Sequence, residues 1–262
     1  MTSLNSLAIQ DATFVRRCEF HPELASTNDR ALELTEVDEP YLIVAERQTA
    51  GRGRGAHQWW SAEGALTFSI RLSLTIPVER APMISLAAGS AVCSALSQFV
   101  SPVRVKWPND VYVEGRKICG ILTESLPIPS PHNGENSLFR AVIGIGVNVN
   151  NSLRNAPEEI SSRATALCDL LDKATERQLV LISILQQLEQ ELATLVNSPA
   201  EFVAQWRRLC WLTGREVTLN DGPRSISGRC QGIDAHGALQ ILTPNGVYRA
   251  ISGSIESVGP MD

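Results

Sequence analysis

The stretch from Gly51 to Trp59 places a loop where the common nucleotide-binding folds place a helix. Its glycines stand at positions 51, 53 and 55, a G-x-G-x-G spacing, and no lysine followed by serine or threonine completes a phosphate-binding P-loop. Residues Ala65 to Leu74 alternate apolar with polar side chains, as a half-buried strand does. The sequence therefore predicts a strand-loop-strand unit and excludes a Rossmann turn.

The residue types of this loop indicate an anionic ligand. Glycine allows backbone conformations in which successive amides form an anion-binding concavity. Arg52 and Arg54 add planar groups that can make paired hydrogen bonds to carboxylate or phosphate. On composition alone a plain surface hairpin is an equally good interpretation, because glycine and arginine are ordinary loop residues.

The bulk composition limits the other possibilities. At 262 residues the chain can bury one large core or two smaller ones. Its 23 basic and 28 acidic residues give a net charge of -5, so no global charge attracts nucleic acid or an anionic membrane. Cationic chemistry must therefore be local, as in the Gly51–Trp59 loop.

Cysteine usage and the start of the chain indicate the compartment. The six cysteines are scattered, with no C-x-x-C pair and no histidine grouping at metal-ligand spacing, which favours reducing surroundings. Residues 1–7 lack the charged region and apolar run of a secretory signal, and no segment is predicted to span a bilayer. We therefore expect a cytoplasmic protein with no membrane partner.

Hydrophobic periodicity predicts the remaining elements. Residues 1–12 are expected to fray, and residues 125–137, with three prolines, to form a mobile loop between strands. Three helices are expected, over residues 81–99, 177–195 and 200–212. After residue 213, short strands separated by glycine-containing turns indicate a small barrel.

A predicted hairpin brings opposite charges together. Pro108 must end the strand over residues 103–107, because proline lacks a backbone donor and holds the preceding residue extended. A turn at residues 114–116 then places Asp110 and Lys117 on adjacent strands. A carboxylate and an ammonium can thus converge on one site. The alternative is a surface ion pair of little energetic value.

Five segments, in matching order, resemble the biotin protein ligase family. They are Ser26-Thr27-Asn28, the Gly51–Trp59 loop, Lys106-Trp107-Pro108-Asn109-Asp110, Arg116 to Glu124, and Gly144 to Asn150. Each segment alone would be weak, and the ordered set is specific. The resemblance covers residues 12 to 258, with a weaker match in the last fifty.

The resemblance implies an α+β fold. A mixed, largely antiparallel sheet packed with helices, the class II aminoacyl-tRNA synthetase-like fold of biotin ligases, would form residues 1–212. A small SH3-like β-barrel would form residues 213–262. Residues 151–166, polar and irregular, would cover the nucleotide, and Gly144 and Gly146 would permit close backbone approach within a strand.

The same resemblance implies roles for individual residues. Biotin would contact Ser26, Thr27, Asn28, Gln48, Arg52, Gly53, Arg54 and Lys117. ATP or the adenylate would contact Arg52, Trp59, Asn109 and Asn148, and Asn148 would also lie near a metal, through water. The catalytic residues would be Lys117, Asp110 and Arg54.

Several of these residues also have a purely structural interpretation. Ser26-Thr27-Asn28 is a natural helix cap, and Pro108-Asn109-Asp110 alone would be a simple turn. Gln48 alone would be an exposed loop residue. Trp59 and Trp60 could wall an apolar slot, with core packing an equal alternative for Trp60.

The implied reaction has two steps. The biotin carboxylate attacks the α-phosphate of ATP, giving biotinyl-5'-AMP and pyrophosphate, with Mg²⁺ on phosphate oxygens. Arg52, Arg54 and Lys117 would offset the repulsion between the two anions. A lysine of the biotin carboxyl carrier protein of acetyl-CoA carboxylase then attacks the adenylate, and Asp110 orients it and receives its proton.

Competing interpretations come from other classes. A DNA-binding repressor is disfavoured, because only 25 residues precede Ser26 and the chain is acidic, so no nucleic-acid partner is expected. A lipoate or octanoate enzyme of the same superfamily is a second rival. A biotin-binding protein without turnover is a third, disfavoured by the presence of Asp110 and Lys117. A homodimer through an exposed strand edge is left open.

One departure from the family pattern lies in the loop. Gly55-Ala56-His57 stands where relatives are often basic or carry glycine. The affinity of the loop for the biotinyl-5'-AMP intermediate is therefore expected to differ. His57 could titrate near neutrality and contact phosphate, although a lone loop histidine is more often an exposed bystander.

Overall fold

A seven-stranded sheet forms the larger part of the molecule. The computed structural model describes residues 4–259 except 36, 56, 129–135 and 155. The sheet strands are β1 (Arg17–Leu24), β2 (Tyr41–Gln48), β3 (Leu66–Pro77), β4 (Val103–Lys106), β5 (Asp110–Val113), β6 (Arg116–Ile128) and β7 (Asn136–Val147). Their order is β1-β2-β3-β7-β6-β5-β4, with β1 parallel to β2 and all other pairs antiparallel.

The central strand β3 differs from its sequence pattern. Residues 66–72 are buried on both faces rather than half-buried, although polar residues alternate with apolar ones. The polar side chains have partners inside the protein: Arg71, 1% exposed, donates to Glu39 and to the carbonyls of Ala31 and Thr35. Alternation in this strand therefore separates the apolar core from a buried polar face, not the core from solvent.

Helices cover the sheet. They are α1 (Ser6–Ala12), α2 (Thr27–Glu33), α3 (Met83–Leu96), α4 (Glu158–Ser161), α5 (Leu167–Leu171), α6 (Arg177–Asn197) and α7 (Pro199–Leu209). The side chains of α3 are almost all buried, and α6 packs along it. The three long helices predicted from periodicity are present, with ends shifted by up to three residues.

A second sheet follows the last helix. It contains β8 (Glu216–Asp221), β9 (Arg224–Ile233), β10 (Leu239–Thr243), β11 (Gly246–Ala250) and β12 (Ser254–Val258), in the order β11-β10-β9-β8-β12, all antiparallel. This is the predicted small all-β unit. Its docking uses Trp107, whose indole nitrogen donates to the carbonyl of Gly237 at 3.1 Å, and Arg207, which donates to the carbonyl of Ile233 at 2.8 Å.

Three local predictions were wrong. Residues 6–12 form α1 rather than a frayed end, because Asn5 caps the helix and the side chain of Ile9 is fully buried. The predicted loop at 125–137 is shorter, since β6 continues to Ile128 and β7 begins at Asn136; residues 129–135 lie outside the described residues. Within residues 151–166, a short helix interrupts the irregular segment at α4.

The prediction that no segment could span a bilayer also needs correction. Helix α6 is long and apolar enough to cross a membrane by length and composition. In the protein, however, its apolar face packs against α3 and α7, with Val180, Ile184 and Leu188 fully buried. The helix thus has the composition of a core helix.

Candidate active site

A cleft of about 490 Å³ lies between the two sheets and collects most of the predicted site residues. Its volume is in the range of small-molecule sites. The walls contain Ser26, Thr27, Asn28, Gln48, Arg52, Gly53, Arg54, Trp59, Asn109, Asp110 and Lys117, all predicted from the sequence. Asn148 is absent from the described lining residues, and Asn220, Gly222, Gly253, Ser254 and Ile255 of the second sheet are present.

The start of α2 forms one end of the cleft. Ser26 caps the helix, its side chain accepting from the amide of Asp29 at 3.3 Å. Both the amide and the hydroxyl of Thr27 donate to Gln48 Oε1, at 2.7 and 3.0 Å. Ser69 Oγ from β3 lies 2.7 Å from Thr27 Oγ1 and 2.6 Å from Asn28 Oδ1. Capping and pocket lining thus coexist at this helix start.

Arg52 is fixed by two carboxylates. Its guanidinium donates to Glu124 at 2.8 and 3.2 Å and to Asp29 at 2.6 Å. Hydrogen bonding to Glu124 is the main cause that raises the pKa of Arg52. Glu124 Oε2 also accepts from Asn28 Nδ2 at 2.8 Å, so one carboxylate connects the Gly51–Trp59 loop with α2. Arg52 lines the cleft as predicted from the sequence, and its charge is compensated by Glu124 and Asp29.

Two strand glycines make room for side chains of the site. A Cβ on Gly144 would lie 2.1 Å from Asn28 Oδ1, and one on Gly146 would lie 2.4 Å from the indole of Trp59. The glycines of β7 therefore admit side chains from elsewhere, not a neighbouring backbone. Trp59 Nε1 is buried and has no hydrogen-bond partner among the described residues. Trp60 is 39% exposed and does not line the cleft.

The predicted hairpin brings Asp110 and Lys117 together. Lys117 Nζ lies 2.6 Å from Asp110 Oδ1, with the two side chains 33% and 23% exposed. The contact is an ion pair rather than an aligned hydrogen bond, because Asp110 Oδ1 has no hydrogen-bond partner in the described part of the chain. An ionised carboxylate has acceptor sites beyond the one that faces Lys117, so Asp110 can still take a proton from a ligand.

Arg54 connects the loop with the second sheet. Its guanidinium donates to the carbonyl of Gly253 at 2.6 Å. Burial lowers the pKa of Arg54, whereas the charge of Asp110 acts in the opposite direction. Because a carbonyl is a neutral acceptor, Arg54 keeps its positive charge available to a ligand. Ala56, in the Gly55-Ala56-His57 departure, lies outside the described residues.

Asn148 and Asn109 are held by the protein backbone. Asn148 is 4% exposed; its Nδ2 donates to the carbonyl of Thr165 at 3.1 Å, and its Oδ1 accepts from Asn151 at 2.9 Å. One of its two N–H donors and one lone pair of its oxygen are thus used inside the protein, and its contact with nucleotide or metal stays a prediction. Asn109 Nδ2 donates to the carbonyl of Ile121 at 2.7 Å, which leaves its side-chain oxygen free of that bond.

The sequence did not reveal every residue of the site. Glu124 lies in a segment quoted for the resemblance, yet nothing local predicts its pairing with Arg52, which is 72 residues away in the chain. Gly253 is 199 residues from Arg54. Ser69 looked like an outward-facing strand residue. It is fully buried in a central strand, and it supports the cleft from behind through its contacts with Thr27 and Asn28.

Comparisons with known proteins agree with this geometry. Residues 20–148 match the model of the biotin/lipoate A/B protein ligase family, and residues 212–256 match that of the biotin protein ligase C terminal domain. The bifunctional ligase/repressor BirA of Bacillus subtilis is 31% identical over 244 residues, covering 90% of this chain and 73% of the relative. The biotin--[acetyl-CoA-carboxylase] ligase of Mycobacterium tuberculosis is 31% identical over 236 residues, covering 86% and 82%.

A solved structure extends the match to the fold. The biotin protein ligase from Aquifex aeolicus, in complex with biotin and ATP, superimposes with a TM-score of 0.76 at 33% sequence identity. The match covers 92% of this chain and 98% of that one. The mixed sheet and the second, C-terminal sheet are thus those of this ligase fold.

Proposed function

Since the chain belongs to the biotin protein ligase family, we propose that it joins biotin to a protein lysine through an adenylate, and that the residues of the cleft divide this work. The observation that carries the proposal is the position of the Asp110–Lys117 ion pair in the same cleft as the Thr27–Gln48 hydrogen-bond network. A binding site for a small acid and a charged pair suited to catalysis therefore lie side by side.

Biotin would bind at the Ser26–Gln48 end. Its ureido ring is neutral and offers both donors and acceptors, which suits the hydroxyl and amide groups of Thr27 and Asn28, with Ser69 behind them. Those groups are already oriented by hydrogen bonds to one another, so the entropic cost of ordering them on binding is small. Arg52 would act by holding this end together with Glu124, since its charge is already compensated.

The first half-reaction would take place near Lys117. An oxygen of the biotin carboxylate attacks the α-phosphorus of ATP, a new P–O bond forms, and the bond to the bridging oxygen of the β-phosphate breaks. Pyrophosphate leaves with the electron pair. Lys117 and Arg54 would stabilise the charge on the α-phosphate oxygens, because preorganised donors in a cleft with little water act strongly on a transition state.

The second half-reaction would use Asp110. The ε-amine of the acceptor lysine attacks the acyl carbon of biotinyl-5'-AMP, an amide bond forms, and AMP leaves. Deprotonating a free lysine near neutral pH costs on the order of 4 kcal/mol, given an ordinary pKa of about 10.4. Asp110 would orient the amine and receive its proton, directly or through water, at its carboxylate.

Magnesium would enter with the nucleotide. The described residues contain no group of three or more His, Cys, Asp or Glu able to hold a metal ion. Asp110 is the one carboxylate that lines the described cleft. These residues fit a Mg²⁺ ion that is held mostly by phosphate oxygens and water. The ion would neutralise phosphate charge; Asn148 does not line the described cleft.

We propose the biotin carboxyl carrier protein of acetyl-CoA carboxylase as acceptor, on the strength of the name of the Mycobacterium tuberculosis relative. The outer edge of β1 pairs with no described strand, so it could receive a strand of the acceptor or of a second copy. Three further predictions remain. The change of sheet supports a domain division at residue 213, and the six free thiols support a cytoplasmic location. The net charge of -5 supports the absence of a nucleic-acid partner.

The test is pyrophosphate release from ATP by the purified protein with biotin, lipoate or octanoate as the only added acid. We expect release with biotin alone. Release with lipoate or octanoate alone would assign the chain to the sister activity, and no release with any acid would leave a binding protein. A gel-shift assay at moderate salt with biotin-operon DNA, expected to show no retardation, tests the repressor alternative.

A further inference from the structure

The chain contains three lysines, and two of them line the cleft. Lys117 has its place in the proposed reaction. Lys106, the last residue of β4, stands directly opposite Asp110 in the β4–β5 register. The sequence assigns it no role beyond membership of a matched segment, so its surroundings in the structure must indicate what it does.

The four side-chain cations of the described cleft, two arginines and two lysines, differ in their partners. Arg52 contacts two carboxylates, and Lys117 contacts Asp110. Arg54 donates to a carbonyl. Lys106 has no carboxylate within 4.0 Å of Nζ in the part of the chain that the structure describes. The positive charge of Lys106 is therefore less compensated than that of Lys117.

Aromatic rings hold Lys106 in place instead. Its Nζ lies 5.2 Å from the ring centroid of Tyr112 and 5.8 Å from that of Trp211, with the Tyr112 hydroxyl at 3.5 Å. The two rings stack at 5.1 Å with an interplanar angle of 15°. The amide of Trp211 donates to the carbonyl of Val105, so this stack is tied to the strand that carries Lys106.

This environment favours an anion on the cleft side of Lys106. An ammonium over aromatic faces gains a modest attraction but loses much of its hydration. Burial lowers the pKa of Lys106 accordingly. Asp110 could compensate the charge, but Lys117 Nζ is 2.6 Å from its carboxylate. A polyphosphate entering the cleft would supply the missing negative charge and restore hydrogen bonds to the ammonium.

We infer that Lys106 binds the pyrophosphate portion of ATP and holds the leaving group during adenylate formation. This inference rests on the proposed function. The bond between the α-phosphorus and the bridging oxygen breaks, the electron pair stays on that oxygen, and Lys106 donates hydrogen bonds to phosphate oxygens while remaining protonated. Lys117, on the other side of Asp110, serves the α-phosphate. The two lysines thus divide the triphosphate between them.

The experiment is biotin-dependent exchange of labelled pyrophosphate into ATP, which reports the KM of pyrophosphate. We expect Lys106→Gln to raise that KM by about tenfold or more and to leave the KM of biotin within about twofold. Lys106→Arg, which restores a cation, should recover most of the loss. Lys173→Gln, at the exposed third lysine outside the cleft, is the matched control and should behave as wild type.

Two further measurements decide between explanations. Transfer of biotin from added biotinyl-5'-AMP to the carrier domain should be unchanged in Lys106→Gln; a loss confined to this step would assign Lys106 to acceptor binding and overturn the inference. An unchanged KM of pyrophosphate would also overturn it. The inference would also be overturned if Lys106→Gln had a lower Tm and Lys106→Arg did not recover the KM of pyrophosphate.

Failure of the proposed function can be told apart. If wild type shows no biotin-dependent exchange, the adenylation proposal fails, and calorimetric titration of inorganic pyrophosphate into wild type and Lys106→Gln still tests the anion site. Weaker binding to the variant would support the assignment of Lys106. Equal binding would contradict it.

Discussion

The two ends of the cleft differ in how far their polar and charged groups are paired within the protein. At one end, which we call the paired end (Ser26, Thr27, Asn28, Gln48, Arg52 and Glu124), the polar groups are largely satisfied by one another. At the other, the cationic end (Arg54, Trp59, Lys106, Asp110 and Lys117), Lys106 has no carboxylate partner, and Trp59 Nε1 and Asp110 Oδ1 have no hydrogen-bond partner among the described residues.

The difference follows from the charge of the expected ligands. A neutral ring is best held by dipoles that are oriented beforehand, because they need no reorganisation when it binds. A triphosphate brings its own negative charge, so protein carboxylates placed beside every cation would compete with it. The paired end therefore resembles a finished hydrogen-bond network, whereas the cationic end is completed by the ligand.

The largest effect is expected from Lys117→Ala. The change removes a donor to the α-phosphate and leaves Asp110 without its counter-ion, so biotin-dependent pyrophosphate release should fall by about 100-fold to 1,000-fold in kcat. Steady-state release assays measure the loss, and the Tm checks folding. A variant that kept more than about a tenth of wild-type kcat would show that the cationic end does not carry the reaction.

Asp110→Asn should separate the two half-reactions. The amide cannot accept the proton of the acceptor lysine, so transfer should slow by about 100-fold. Adenylate formation should fall less, by about tenfold, because only the counter-ion of Lys117 is lost. Single-turnover kinetics with preformed adenylate measure each step. Equal losses in both would make Asp110 a structural residue.

Glu124→Gln tests the paired end. The variant loses the charge that holds Arg52 and weakens the acceptor of Asn28, so the KM of biotin should rise by about tenfold while the KM of ATP stays within about twofold. Glu189→Gln, an exposed change on α6, is the control. A rise in the KM of ATP alone would mean that Arg52 serves the nucleotide.

The smallest effect is expected from Gly146→Ala. The new methyl group would meet the Trp59 ring at 2.4 Å, so the ring must shift, and the KM of ATP should rise by about threefold. The double variant Gly146→Ala with Trp59→Ala supplies the check. If displacement of Trp59 is the cause, adding Gly146→Ala to Trp59→Ala should change the KM little further.

Much of this arrangement could be predicted from the sequence where local rules decide it. The turn at Glu114-Gly115 forces Asp110 and Lys117 onto adjacent strands, and Ser26 caps its helix as its side chain favours. The order of the matched segments indicated the fold. These features depend on neighbours in the chain, which a sequence displays directly.

The rest depends on contacts between distant segments. Alternation in β3 could not reveal that both faces are buried, because a polar residue facing solvent and one facing a buried network give the same pattern. Helix α1 was missed because its stability comes from burying Ile9 and from a bond between the Asn5 amide and Gln178. Its seven residues are too few to be helical on their own.

The division of the cleft is tested most directly by one matched set of kinetic measurements: the KM of biotin and of ATP for Glu124→Gln and Lys106→Gln, each beside its control. A cleft with two independent ends predicts opposite results for the two variants. Glu124→Gln should raise the KM of biotin by about tenfold and leave the KM of ATP unchanged, whereas Lys106→Gln should raise the KM of ATP and leave the KM of biotin unchanged. Equal weakening of both substrates by both variants would contradict it and show a single coupled site.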